Sequence, residues 1–129
     1  MVRYPVLLII SSVVLLAACA PMVRSTPAEL IAAGKDARII EIATDVAPRL
    51  PAGHSDLVAR GSRWTAAGQL PQGAVYRPLN IVFTVMGRNV HEAYLVIDSQ
   101  GALAGFYLPG EARFSPVDQK VPISLKAVQ

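Results

Sequence analysis

From Val58 onward, short apolar runs are cut by turn residues at close intervals, and this texture limits the fold more than any other feature. Residues 63–66, Arg-Trp-Thr-Ala, read as a strand that ends at Gly68. Leu70-Pro71-Gln72-Gly73 reads as a turn, with Pro at its second position and Gly at its fourth. Residues 74–77 form a strand stopped by Pro78. Residues 80–86 read as a longer strand, with Ile81, Phe83 and Val85 on one face and Val82 and Thr84 on the other. After the turn Gly87-Arg88-Asn89, residues 90–98 are the next strand. Ser99-Gln100-Gly101 turns the chain into residues 102–108, which Pro109-Gly110 ends. Residues 111–120 read as a loop, and 121–125 as a last short strand placed at a sheet edge by Pro122. Segments spaced this way predict an antiparallel meander of about 4–6 strands. Gly105 in mid-strand predicts a bulge or a close packing contact. Leu95, Val96 and Ile97 are apolar in succession, so their strand is expected to be covered on both faces.

The N-terminal half carries helix signals instead. Thr26 fits a cap, Pro27 the first helical position and Glu29 a capping box, with Gly34 as a stop. Residues 36–47 admit two readings. Ile39, Ile42, Ala43 and Val46 share one helical face, with Asp36 as its cap, while Arg38-Ile39-Ile40-Glu41-Ile42 is β-branched and partly alternating. The helix reading is carried into the fold class. That class is α+β: a small antiparallel meander with one or two N-terminal helices packed on it.

The first 20 residues give an address. Arg3 precedes a run of 13 residues, 6–18, that is apolar except at Ser11 and Ser12. A helix that crosses the hydrocarbon core needs about 20, so the run fits a signal peptide's hydrophobic region. It ends in Leu16-Ala17-Ala18-Cys19, which resembles the lipobox of bacterial lipoproteins. The resemblance implies that the Cys19 thiol receives a diacylglyceryl group, that the chain is cut before it, and that the new amino terminus is acylated with fatty acid such as palmitate. Two or more acyl chains hold a protein stably on a bilayer where one does not. In Gram-negative members of the class, Asp after the Cys favours the inner membrane. Ala20 here implies the outer membrane, with the body facing the periplasm. Residues 1–18 are then a cleaved signal, 19–26 the lipidated Cys and a flexible tether, and 27–129 a single small domain.

Loss of residues 1–18 from 129 leaves 111, enough for one domain. Cys19 is the single cysteine, so no disulfide is available and stability rests on a packed core. Signal removal takes away Arg3 alone among the charged residues, so the formal charge falls from +3 to +2. The basic residues are scattered, which argues against a nucleic-acid partner.

No constellation for catalysis stands out. His54, Ser55 and Asp56 are adjacent, whereas triad members converge from distant positions; Ser55 or Asp56 is expected to cap a turn. His91 and Glu92 are strand neighbours and point to opposite faces. A His within reach of a carboxylate in a cleft would be the mark of acid–base chemistry. Two distant His residues without a thiol do not make a metal site. Asp98, Glu111 and Asp118 fall at turns and loops, where polar residues are at home. Catalytic, cofactor and metal sites are therefore expected to be absent. Trp64, Tyr107 and Phe114 are the aromatics expected at an interaction surface, and Phe83 and Phe106 in the core. The reading is a non-enzymatic envelope lipoprotein: an interaction, assembly or accessory subunit held on the bilayer by acylated Cys19 beside an envelope protein partner. The alternative is a small-ligand binder or an inhibitor of an envelope enzyme.

Overall fold

A computed structural model describes residues 22–35 and 37–128. The expected signal segment, Cys19 and the expected cap Asp36 lie outside the described residues. There is no helix among the described residues, which form twelve strands: β1 (Thr26–Pro27), β2 (Ile31–Ala32), β3 (Ile39–Ile42), β4 (His54–Ser55), β5 (Arg63–Leu70), β6 (Gly73–Pro78), β7 (Thr84–Met86), β8 (Val90–Glu92), β9 (Tyr94–Ile97), β10 (Ala102–Leu108), β11 (Arg113–Pro122) and β12 (Leu125–Val128). The α+β expectation is overturned: the protein is all-β.

Nine strands form one antiparallel sheet in the order β1-β11-β10-β9-β6-β5-β3-β12, with β2 also on β5, and β4-β7-β8 form a second. The last strand of this order, β12, pairs with β3 yet follows β11, the second strand of the order, by only residues 123–124 in the chain. The sheet therefore curls. Ile40 and Ile42 of β3, Trp64 of β5, Leu95 and Ile97 of β9, Leu103 and Phe106 of β10 and Val117 of β11 meet in one buried cluster. Phe83, Val85 and Ala93, from the region of the smaller sheet, close that cluster. Phe83 is its hinge, edge-on to Trp64 at 5.3 Å and stacked on Phe106 at 5.6 Å.

The other face of the large sheet is buried too. Leu70, Val75, Val96, Ala104, Tyr107 and Phe114 form a second cluster, against which Ala28 and Leu30 pack. The segment that carries Ala28 and Leu30 straps this face, since β1 pairs with β11 and β2 with β5. Leu95, Val96 and Ile97 are accordingly all buried, as their unbroken apolar run requires.

The helix expected from Thr26 to Gly34 is this strap. Its capping box is a local signal, and a helix of two turns is marginal in water. Pairing with β11 and β5 satisfies the backbone instead, while Ile31 stays exposed. Between residues 36 and 47 period two prevails: Ile40 and Ile42 point inward, and Ile39 is exposed. Three further expectations need correction. Residues 80–86 supply only the short β7, because Asn80 sits at φ 59° and leaves Ile81 and Val82 in solvent. The strand expected at 90–98 is split at Ala93 between the two sheets. The loop expected at 111–120 is mostly β11, which also takes up 121 and 122. The count of strands rises accordingly.

Other features match the sequence reading. The hairpin of β9 and β10 turns at residues 98–101, and its register slips between Leu103 and Gly105, where the bulge was expected. Gly105 is obligatory there for a second reason. A Cβ on it would stand 2.3 Å from the Ser115 carbonyl oxygen and 2.8 Å from two Phe114 ring carbons.

Candidate functional site

The residues singled out in the sequence are dispersed by the fold. Trp64, Tyr107 and Phe114 are buried at 0%, 7% and 7% exposure, which corrects their placement at an interaction surface. Trp64 donates its Nε1–H to Ser62 Oγ at 3.0 Å inside the larger cluster. Tyr107 faces Tyr94 at 6.2 Å in the smaller one. Burial, and secondarily the Glu92 carboxylate, push the Tyr94 phenol above its usual range.

His54, Ser55 and Asp56 form no triad. His54 is exposed on β4, and Asp56 accepts hydrogen bonds from the Thr84 backbone N–H (2.9 Å) and hydroxyl (3.0 Å). Asp56 thus ties β4 to β7. Asp98 caps the β9–β10 turn through the N–H groups of Gln100 and Ala102 and pairs with Lys120 at 3.0 Å. These contacts, the Ala102 N–H first, hold its carboxyl below the ordinary range.

His91 and Glu92 do point apart, but His91 finds another carboxylate. Its Nδ1 lies 2.7 Å from Glu111 Oε1, a contact between the β8 strand and the β10–β11 turn that a separation of 20 positions hides from sequence reasoning. Strand β8 carries His91 inward between exposed Val90 and Glu92. The turn that presents Glu111 is fixed by Ala112 at φ 52°.

Around this pair lies an open groove of about 700 Å³. One wall is the chain from Met22 to Thr26, the second is the β7–β8 turn with Arg88 and Asn89, and the third is the β10–β11 turn with Leu108 and Arg113. Arg113 fastens the first wall to the third, its Nε donating to Ser25 Oγ and its Nη2 to the Ser25 carbonyl, both at 2.7 Å. Residues 22–25, expected to belong to the flexible tether, are therefore docked, and Val23 packs on the core. Arg24 and Arg88 are exposed, and neither has an ion-pair partner among the described residues. Three guanidinium groups against one already paired carboxylate make the groove an anion-attracting surface. A His–carboxylate pair alone is half of an acid–base apparatus, which also needs a reacting group in reach. Among the described residues no three His, Cys, Asp or Glu side chains converge as metal ligands.

A second open groove, of about 850 Å³, lies at the other end of β10, beside the β5–β6 and β9–β10 turns. Strand β10 has seven residues, which puts its two ends about 20 Å apart at 3.3 Å per residue, and the two grooves approach each other at Pro116, which lines both.

The remaining surface feature is a bare sheet edge. On β3, Ile42 exchanges backbone hydrogen bonds with the β5 side, at Gly61 and Ser62, while Ala43 bonds to Ser124. Alternation then assigns residues 124, 126 and 128 to the β3 ladder and turns the N–H and C=O of Leu125 and Ala127 outward. Among the described residues no strand pairs with that side of β12. No family model, curated protein or solved structure matches the chain.

Proposed function

We propose that this chain is an envelope lipoprotein: a small β domain, tethered by acylated Cys19 to the periplasmic face of the outer membrane, that acts without catalysis as an interaction or accessory subunit. The address rests on the lipobox-like Leu16-Ala17-Ala18-Cys19 and on Ala20. The interaction reading rests on one observation, the open edge of β12. An extended segment of a partner adds to such an edge through main-chain hydrogen bonds. Exposed Leu125, paired with Ile42 of β3, offers it an apolar contact.

The alternation along β12 supplies the test. Ala127→Pro removes an N–H that faces outward and leaves the β3 ladder whole. Lys126→Pro removes an N–H that the ladder uses. The full-length chain is crosslinked in cells and captured, beside Ala127→Pro and Cys19→Ser. A stoichiometric envelope partner that is held by the wild type and lost from the folded Ala127→Pro variant supports the reading. Equal capture by wild type and Ala127→Pro refutes the edge as the contact, and equal capture by Cys19→Ser refutes the need for the anchor.

The groove at His91 favours a second reading, a small-ligand binder. Its volume falls within the range of about 300–1,000 Å³ that such sites occupy. Saturable binding of a small anion that Arg88→Glu abolishes would support it.

A further inference from the structure

We infer that the cationic groove beside Met22 is the face this domain sets on the bilayer, and that its arginines take the phosphate of an anionic phospholipid headgroup. The inference rests on acylation at Cys19.

Chain length comes first. Met22 lies in the groove wall, and three residues of fully extended chain separate it from Cys19 by about 11 Å at most. The interfacial layer over each side of the hydrocarbon core is itself several ångströms deep. A body held so closely cannot turn its far end to the membrane: the β9–β10 turn, at the other end of seven-residue β10, is a strand length away, about 20 Å. The tether gives no slack at the near end either, since Arg113 clamps Ser25 by two hydrogen bonds. The groove is therefore the part of the surface that the anchor brings to the headgroups.

Charge comes second. Arg24 and Arg88 stand exposed in the groove, and Glu111, its carboxylate, is engaged with His91. Guanidinium matches phosphate with paired donors, and basic groups close to an anionic leaflet are attracted within a Debye length. Exposed Met22 adds an apolar side chain on the same wall, suited to the boundary between headgroups and acyl chains.

The test uses the absence of any second cysteine. In the acylated full-length chain, Val90→Cys, exposed between the groove-lining residues Asn89 and His91, is the one reactive thiol. Gln100→Cys, in the turn at the other end of β10, is its control. Each is labelled with an environment-sensitive fluorophore and reconstituted in vesicles of phosphatidylcholine, with or without phosphatidylglycerol. The expected result is a blue shift at position 90 that phosphatidylglycerol enlarges, that salt reverses and that Arg24→Glu/Arg88→Glu abolishes, with no shift at position 100. Emission at 90 as water-like as at 100 overturns the proposal. So does a shift indifferent to phosphatidylglycerol and to the charge reversal, which would mean apolar contact without headgroup recognition. Intact mass separates the two layers of the argument: an unmodified Cys19 overturns the anchor itself, whereas an acylated chain with a wet groove overturns the groove alone.

Discussion

Gly105→Ala places one methyl group where three atoms already stand. The nearest, the Ser115 carbonyl oxygen at 2.3 Å, is backbone, and the Phe114 ring carbons at 2.8 Å belong to a buried side chain. Neither can retreat freely, because β10 is hydrogen-bonded on both sides, to β9 and to β11. Overpacking of this kind costs about 1–3 kcal/mol. Loss of glycine's freedom in the unfolded chain offsets about 0.4–1 kcal/mol of that, so the net destabilisation is about 1–2 kcal/mol. At roughly 4–8 °C per kcal/mol for a domain near this size, the melting temperature drops by about 10 °C. Urea unfolding of the full-length chain, read by fluorescence of Trp64, the single tryptophan, measures the change directly. Gly110→Ala is the matched control: nothing lies within 4 Å of a Cβ there, and its expected effect is close to zero. If the two variants unfold within about 0.5 kcal/mol of each other, a difference ordinary for surface changes, the packing argument for Gly105 is wrong.

Phe83→Ala removes the ring that joins Trp64 to Phe106 at full burial; a loss of about 3–5 kcal/mol is expected by calorimetry or urea unfolding, and a loss below 1 would mean the site refills. Asp98 has a lowered pKa in the folded state, so its stabilising contribution is present above the unfolded carboxyl's pKa and is lost as pH falls through the folded one. The stability gap between wild type and Asp98→Asn should therefore close on acidification; a gap independent of pH would contradict the capping role. Lys126→Pro should lower the urea midpoint through a lost ladder bond worth about 1 kcal/mol net or more, whereas Ala127→Pro leaves it unchanged or slightly raised. Reversal of that order would show that the hydrogen-bond alternation along β12 has been assigned to the wrong residues.

The N-terminal signals show where local reading fails. Thr26, Pro27 and Glu29 satisfy a helix start, yet the same residues strap the sheet, because two open strand edges, at β11 and β5, offer their backbone groups partners. Those edges lie about 40 and 85 residues away, and no window around residue 30 contains them. At residues 39–42 the pattern admitted both periods, and burial of Ile40 and Ile42 in the curled sheet selected two. The aromatics misled for a related reason. Tyr107 and Phe114 flank a Pro-Gly turn, but the strap covers their face, and a strand's second face is exposed or buried according to what crosses it.

The sequence alone determined the features that are local. They are the hairpin of β9 and β10, the turn at Pro71 and Gln72, the bulge at Gly105 and the two-sided burial of residues 95–97. Backbone conformation at Gly, Pro and Asn and alternation along a strand fix such things within a few residues. Tertiary structure decided the rest: the closure of the sheet through residues 123–124, the strap, the meeting of His91 with Glu111, and the outward turn of Leu125 and Ala127. Each depends on which distant strand supplies a hydrogen-bond partner. Partner choice is governed by burial of a whole face, a quantity that belongs to the assembled sheet and to no segment of it.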